Sequence, residues 1–118
     1  MKRTPPMTKY KRGDIVLVEV VFPEGIGTKK RPALVISSDD YHKRRQEVII
    51  AAITSNVKRV LIGDTKIDKW KEAGLIYPSL VTGIVQTVKG SMIIRKLGTL
   101  SKQDFQKVQK NLGKMIGF

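Results

Sequence analysis

The chain contains no cysteine. That excludes disulfides, thiolate nucleophiles and every zinc site that depends on sulfur. Histidine is almost as scarce, with His42 the single example. Histidine-based metal sites and a Ser-His-Asp triad therefore lack parts unless that one ring serves alone. Acidic residues number 10 in 118. Asp39 and Asp40 form the only adjacent pair, and Asp64 and Asp68 stand four apart. Both sets read as loop and cap residues, whereas two-metal chemistry wants several converging carboxylates. No metal and no cofactor is expected. Aromatic residues make up 6%, too few for a surface rich in stacking platforms, and core or rim packing is the expected role of Trp70. No apolar run approaches the roughly eighteen residues that a membrane span needs. The basic start, Met1-Lys2-Arg3-Thr4-Pro5-Pro6, is not followed by an apolar stretch of signal-peptide type. The expected location is the cytoplasm, with no membrane role.

What the chain has in excess is positive charge. Its 23 Lys and Arg bring the formal net charge to +13 and the pI near 10.2. A field of that size draws polyanions, nucleic acid first and an anionic membrane or acidic protein second. Charge by itself separates neither RNA from DNA nor binding from cutting. With 118 residues, 41% of them hydrophobic, the chain suits one domain around one modest core.

Residues 1–12 hold two prolines and five cations with little patterning. They read as a flexible basic N-terminal arm ahead of a single domain over residues 13–118. Residues 15–22 are nearly continuous in β-formers and apolar on both faces, the pattern of a strand covered on both sides. Pro23-Glu24-Gly25-Ile26-Gly27-Thr28 then reads as a mobile loop. Further strands are predicted over residues 32–37, 48–54, 80–88 and 92–97, with Lys89-Gly90 as a tight turn between the last two. Residues 57–62 are expected to pair locally as a fourth strand. Asp68 to Gly74 reads as a short helix capped by Asp68 and closed by Gly74. The last element is the clearest. Ser101 caps it, Asp104 follows at capping-box spacing, and Leu100 can pack on Phe105 as a staple. Phe105, Val108, Leu112 and Met115 keep helical spacing, while Lys102, Lys107, Lys110 and Lys114 fall on other faces. The expected fold class is mainly β with α, a small β-barrel or strongly bent sheet carrying a C-terminal amphipathic helix.

Two segments set polar groups at the root or the end of a strand. In Lys29-Lys30-Arg31-Pro32-Ala33-Leu34-Val35-Ile36-Ser37, the proline biases Arg31 toward extended geometry. Its guanidinium would sit on a rigid element beside a glycine-rich loop, always charged and fork-shaped for a phosphate. It reads equally as one surface arginine among many. In Ala51-Ala52-Ile53-Thr54-Ser55-Asn56, an apolar strand ends in two hydroxyls and an amide. They suit a phosphate or a 2′-hydroxyl at the barrel rim and, on residue type alone, a plain turn still better.

Five pieces then follow one another in a recognisable order: Arg12-Gly13-Asp14-Ile15-Val16; Lys30-Arg31-Pro32-Ala33-Leu34-Val35-Ile36-Ser37; Ala51-Ala52-Ile53-Thr54; Gly74-Leu75 ahead of Val85-Gln86; and Leu97-Gly98-Thr99-Leu100-Ser101. In order and spacing the sequence resembles the MazF/PemK-like toxin family from about residue 12 to the end. The resemblance implies an SH3-like barrel and a homodimer. It also implies a sequence-specific, metal-independent endoribonuclease that cuts single-stranded RNA, restrained by an antitoxin whose acidic C-terminal segment covers the active groove. Carried over by position, the family's catalytic arginine corresponds to Arg31 and its catalytic threonine to Thr54. Lys29, Lys30, Ser55, Asn56 and Gln86 fall on the groove by neighbourhood and are the expected RNA contacts. The sequence departs from the pattern of some members at two places. The acidic residue just before the glutamine is Val85 here, and the arginine two positions earlier is Gly83. The stretch from Glu24 to Thr28 also lacks the Gly-Ser-Glu pattern of one branch, which points to a different target sequence.

The chemistry so implied is attack of a 2′-hydroxyl on its own neighbouring phosphate, which spares DNA. Arg31 would stabilise the charge and Thr54 would hold the phosphate or the hydroxyl, with the general base unassigned. His42 lies in Tyr41-His42-Lys43-Arg44-Arg45 and is expected to be a solvated surface residue rather than that base. The rival from another class is a non-catalytic basic barrel that binds nucleic acid or a protein such as a topoisomerase. Trp70, Tyr41 and Tyr77 would be its candidate stacking platforms.

Overall fold

In Ile15-Val16-Leu17-Val18 every side chain is apolar, and a strand of that composition must cover both of its faces. The computed structural model, which describes residues 9–20 and 29–118, meets the requirement with two buried clusters on opposite sides of one sheet. Strand β1 (Asp14–Val20) sends Ile15 to one cluster and Val16 and Val18 to the other. Strands β2 (Lys29–Val35) and β3 (Glu47–Thr54) alternate in the same way. Leu34, Ala51 and Ile53 join Ile15, whereas Ala33, Val35, Val48, Ile50 and Ala52 join Val16. Strands β4 (Thr65–Lys66), β5 (Leu80–Lys89) and β6 (Ile93–Thr99) complete the sheet. All pairs are antiparallel, in the order β4-β5-β3-β2-β1-β6.

That order forces a curl. β5 and β6 are joined only by the three-residue 3₁₀ turn Gly90–Met92, yet they lie four positions apart in the sheet. Laid flat, four strand spacings would separate them by ~19 Å, while the link reaches at most about 14 Å. The sheet therefore bends until its ends meet, and Val88 of β5 and Ile93 of β6 pack in the Val16 cluster, on the concave side. Among the described residues no ladder joins β6 to β5 or β4. The expected barrel thus takes the form of a strongly curled, open sheet.

Helix α2 (Lys102–Ile116) covers the convex side, with Val108 and Leu112 buried and Phe105 and Met115 packed beside them. Ser101 caps it, its Oγ accepting from the Asp104 N–H at 3.1 Å. The carboxylate of Asp104 does not complete a capping box. It accepts the amides of Asp68 and Lys69 at 3.1 and 3.0 Å. Residues 68–74 are accordingly a turn and not the expected helix, and their cap is Asp104 rather than Asp68, which instead pairs with Lys107. No helix among the described residues is long and apolar enough to cross a membrane.

One other expectation shifts. Residues 57–62 form no strand. Asp64 folds them into a turn, its Oδ2 accepting from the Leu61 N–H while its own N–H donates to the Leu61 carbonyl. Gly63, at φ +96°, permits the reversal. The connection after β2 contains the short helix α1 (Asp39–Lys43), capped by Ser38. Residues 1–8 of the expected arm, and the loop of residues 23–28, lie outside the described residues. The arm's last residues are described: Tyr10 is buried in the Val16 cluster, and Arg12 donates to the Ile36 carbonyl and lies 4.6 Å from the Phe105 ring.

Burial pushes the Asp104 carboxyl up, but the amides of Lys69 and Asp68, the Ser101 hydroxyl and Lys107 outweigh it and hold the group below its usual value. A carboxyl held low contributes stability that is present above the unfolded value of 3.8 and lost as pH falls through the folded one. Asp104→Ala should therefore lower the unfolding free energy by about 3 kcal/mol and flatten the acid side of the stability–pH curve. Urea denaturation reads both effects, and a variant as stable as the parent would contradict this role.

Candidate nucleic-acid groove

Paired strands bring Arg31 and Thr54 to the same clefts. Leu34 pairs with Ala51 and Ala33 with Ala52; beyond that pairing Arg31 of β2 and Thr54 of β3 line two clefts in common. Both are half-buried where β2 and β3 leave the core. Next to Arg31, Pro32 faces Leu17 of β1, and the other neighbour of Leu17 is Arg95 of β6. Two clefts meet at the Arg31–Thr54 pair. The first, about 610 Å³, continues past Ser55 and Arg95 and runs beneath Leu75, Ile76 and Tyr77. The second, about 430 Å³, continues past Asn56 and Arg59 between Ile62, Ile84 and Met115. A larger cleft of about 650 Å³ lies beside α2 and shares no residue with this groove.

The end of β3 is both a turn and a rim. The Asn56 N–H donates to Thr54 Oγ1 at 3.1 Å, and the Lys58 N–H donates to Asn56 Oδ1 at 3.3 Å. These local bonds are the ones that Thr and Asn make in turns. They also settle what each side chain has left to offer. The Thr54 hydroxyl, already an acceptor, keeps its proton to donate, and Asn56 keeps its NH₂.

The opposite wall is set by two glycines. Gly74 has φ +88°, and a Cβ there would meet the Leu97 carbonyl oxygen at 2.2 Å; a Cβ on Gly98 would meet the Ala73 carbonyl oxygen at 2.1 Å. Backbone lies against backbone, so Gly74-Leu75 and Leu97-Gly98, far apart in sequence, are two halves of one contact. That contact fixes residues 75–77 over the first cleft.

The remaining candidates are more scattered. Lys29 and Lys30 are exposed at the start of β2 opposite Val20 and Glu19, and alternation puts only Lys29 on the face of Arg31. Gln86 is half-buried on β5 opposite Ile50. None of these three lines either cleft. Conversely, Arg59 and Arg95 line the groove and sequence reasoning missed both. Only the pairing of β6 with β1 reveals Arg95, and Arg59 lies in the segment misread as a strand.

The model of the PemK-like, MazF-like toxin of type II toxin–antitoxin systems matches residues 11–116. The chain belongs to this family. No curated protein matches it. Among solved structures, an endoribonuclease from a Mycobacterial species superposes with a TM-score of 0.75 at 13% identity, over 95% of each chain. An endoribonuclease in complex with its cognate antitoxin, also from a Mycobacterial species, gives 0.74 at 14%, over 92% of this chain and 96% of that one. The Mycobacterium tuberculosis toxin MazF-mt6 gives 0.74 at 23%, over 89% and 97%. At such identities the likeness is one of fold.

Within the MazF-like frame, the departure at Gly83 has a physical counterpart. A Cβ there would meet Met115 Sδ at 2.5 Å, and one on Gly63 would meet it at 2.7 Å. Met115 occupies the space that a side chain at position 83 would need, and the second cleft has an apolar wall. Its one carboxylate, Asp64, is committed to backbone, with Oδ1 accepting from Gly83 and Oδ2 from Leu61. Asp39 accepts from the Arg12 N–H, Asp40 pairs with Lys43 and Asp68 with Lys107. Among the described residues no group of three or more His, Cys, Asp or Glu is placed to hold a metal.

His42 is not the solvated residue expected. It is 5% exposed, and its Nε2 is hydrogen-bonded to Ser37 Oγ. It lines neither cleft of the groove. Its place in a charged stretch concealed that one side of the short helix α1 turns inward. Burial lowers its pKa, against weaker upward pulls from Asp39, the Tyr10 backbone and Asp14.

Two outcomes are expected. A ring whose folded pKa is depressed contributes stability that is complete above 6.5 and lost as pH falls through the folded value. His42→Gln should remove that part of the slope in thermal unfolding across the range, and an unchanged slope would contradict the assignment. Gly98→Ala should cost about 2 kcal/mol or more, since backbone must separate to admit the methyl group. A melting temperature equal to the parent's would show that the Gly74–Gly98 contact is not as tight as described.

Proposed function

We propose that the chain is a sequence-specific toxin that cuts single-stranded RNA, messenger RNA included, by attack of a 2′-hydroxyl on the adjacent phosphate without a metal ion, inhibiting translation and growth. The observation that carries this reading is the meeting of Arg31 and Thr54 at the junction of two clefts on a chain of net charge +13. The scissile phosphate sits at that junction, and the nucleotides on either side of it enter one cleft each. The 2′-oxygen bonds to phosphorus as the bond to the 5′-oxygen breaks. A proton passes from the former to the latter, leaving a cyclic phosphate and a 5′-hydroxyl end.

Holding the reacting atoms in line supplies much of the rate. Arg31 stays charged at any working pH and meets the charge that grows on the pentacoordinate phosphorus. Thr54 donates its remaining proton to a phosphate oxygen. Ser55 and Asn56 contact the flanking nucleotides, one in each cleft, while Lys29, Lys30 and Gln86 contact RNA beyond them. The family is that of type II toxins, and one similar structure is an endoribonuclease with its cognate antitoxin. In this reading a cognate antitoxin with an acidic C-terminal segment covers the same groove, where Arg31, Arg59 and Arg95 meet its carboxylates. The protein acts as a homodimer in the cytoplasm.

The test is incubation with a long unstructured RNA and the matching DNA in excess EDTA. Discrete RNA fragments with 5′-hydroxyl ends and intact DNA are expected. Arg31→Ala should cut on the order of 10²–10³ slower and Thr54→Ala about tenfold slower or more. Cutting that appears only with added magnesium would move the case to a metal enzyme. Tight binding without product would favour the non-catalytic barrel.

A further inference from the structure

Large apolar side chains left exposed beside a cleft mark a surface built to be covered. Ile76 and Tyr77 are 79% and 63% exposed, and both line the first cleft. Their backbone is held on both sides. The Leu75 N–H donates to the Trp70 carbonyl at 3.0 Å, the Ser79 hydroxyl to the Tyr77 carbonyl at 2.7 Å, and the Ile67 N–H to the Ser79 carbonyl at 3.0 Å. The Gly74–Gly98 contact anchors the approach. Two apolar side chains are thus presented on a fixed tip, with Arg95 in the same cleft.

The other aromatic candidates are otherwise placed. Trp70 packs against the Ile15 cluster with the Lys71 ammonium over its ring at 5.4 Å. Tyr41 lies edge-on to His42 with the Arg45 guanidinium 4.9 Å from its ring. Tyr77 alone of the three lines the groove.

We infer that Tyr77, with Ile76 beside it and Arg95 in the same cleft, forms a base-stacking subsite that takes an unpaired RNA base next to the phosphate held at Arg31 and Thr54. The inference rests on the reading that the groove binds RNA. Stacking on one ring face accepts any base and gives affinity without a hydrogen-bond code. It also selects single strands, because a base locked in a duplex cannot splay onto the ring. Arg95 contacts the phosphate on the far side of the stacked nucleotide.

The experiment measures binding of a short fluorescein-labelled, fully 2′-O-methylated single-stranded RNA, which attack by a 2′-hydroxyl cannot cut, by fluorescence anisotropy. Tyr77→Ala should weaken Kd by about tenfold or more, Tyr77→Phe should stay within about twofold because the ring remains, and Arg95→Ala should reduce the log–log salt slope by ~0.7. Thermal unfolding should be unchanged in all three, since the side chains are exposed. Equal Kd for the parent and Tyr77→Ala would overturn the subsite, as would a Tyr77→Phe loss as large as that of alanine. Cutting of natural RNA is scored separately. A parent that binds and never cuts, with the tyrosine effect intact, overturns the ribonuclease reading and leaves the subsite standing. A parent that does not bind RNA overturns both.

Discussion

Gly90, Ser91 and Met92 have to join two strands that the pairing order places at opposite ends of a five-strand run. The rest of the molecule depends on that short link. It bends the sheet around Val16, Ile50, Val88 and Ile93, and it leaves a convex face that α2 covers together with Ile67, Trp70 and Ala73. The curl also determines where β2 and β3 end. Arg31 and Thr54 line the same clefts where two paired strands leave the core, and Arg95 joins them because β6 pairs with β1. The groove is thus a by-product of strand order, and its side chains stand on strands and anchored turns rather than on free loops.

Four of the aspartates are used in a consistent way. Asp14 accepts from the Lys11 N–H, Asp39 from that of Arg12, Asp64 from those of Leu61 and Gly83, and Asp104 from those of Asp68 and Lys69. Each ties an irregular segment to the sheet or to α2. Carboxylates committed to backbone amides are poor candidates for metal binding or proton transfer, and they leave the groove cationic. Scarcity of acid and the polyanion-seeking surface are therefore one property, expressed inside the fold as caps and outside it as charge.

Much of this was legible in the chain. Alternation and β-branched runs located the long strands, because burial on two faces demands a continuous apolar stretch. Ser101 and the spacing of Val108 and Leu112 located α2. The family pieces pointed to Arg31 and Thr54 before any register was known. Part of what escaped was set by contacts distant in sequence and part by local turns. Asp104 has capping-box spacing yet serves residues 68 and 69, which no local rule anticipates. Residues 57–62 have strand composition but are reversed by Asp64 and Gly63. His42 sits among charges and turns inward all the same. Arg95 looks like any exposed arginine until the strand pairing puts it beside Leu17.

The central claim is that the groove at Arg31 and Thr54 cuts RNA by using the substrate's own hydroxyl. The most direct measurement maps the main cut in a long RNA, then replaces the single 2′-hydroxyl on the 5′ side of that phosphate with hydrogen and assays the otherwise identical strand. The account predicts that cutting at that bond disappears while binding and cutting elsewhere persist. Continued cutting at the deoxy position would mean an external nucleophile, and would contradict the mechanism.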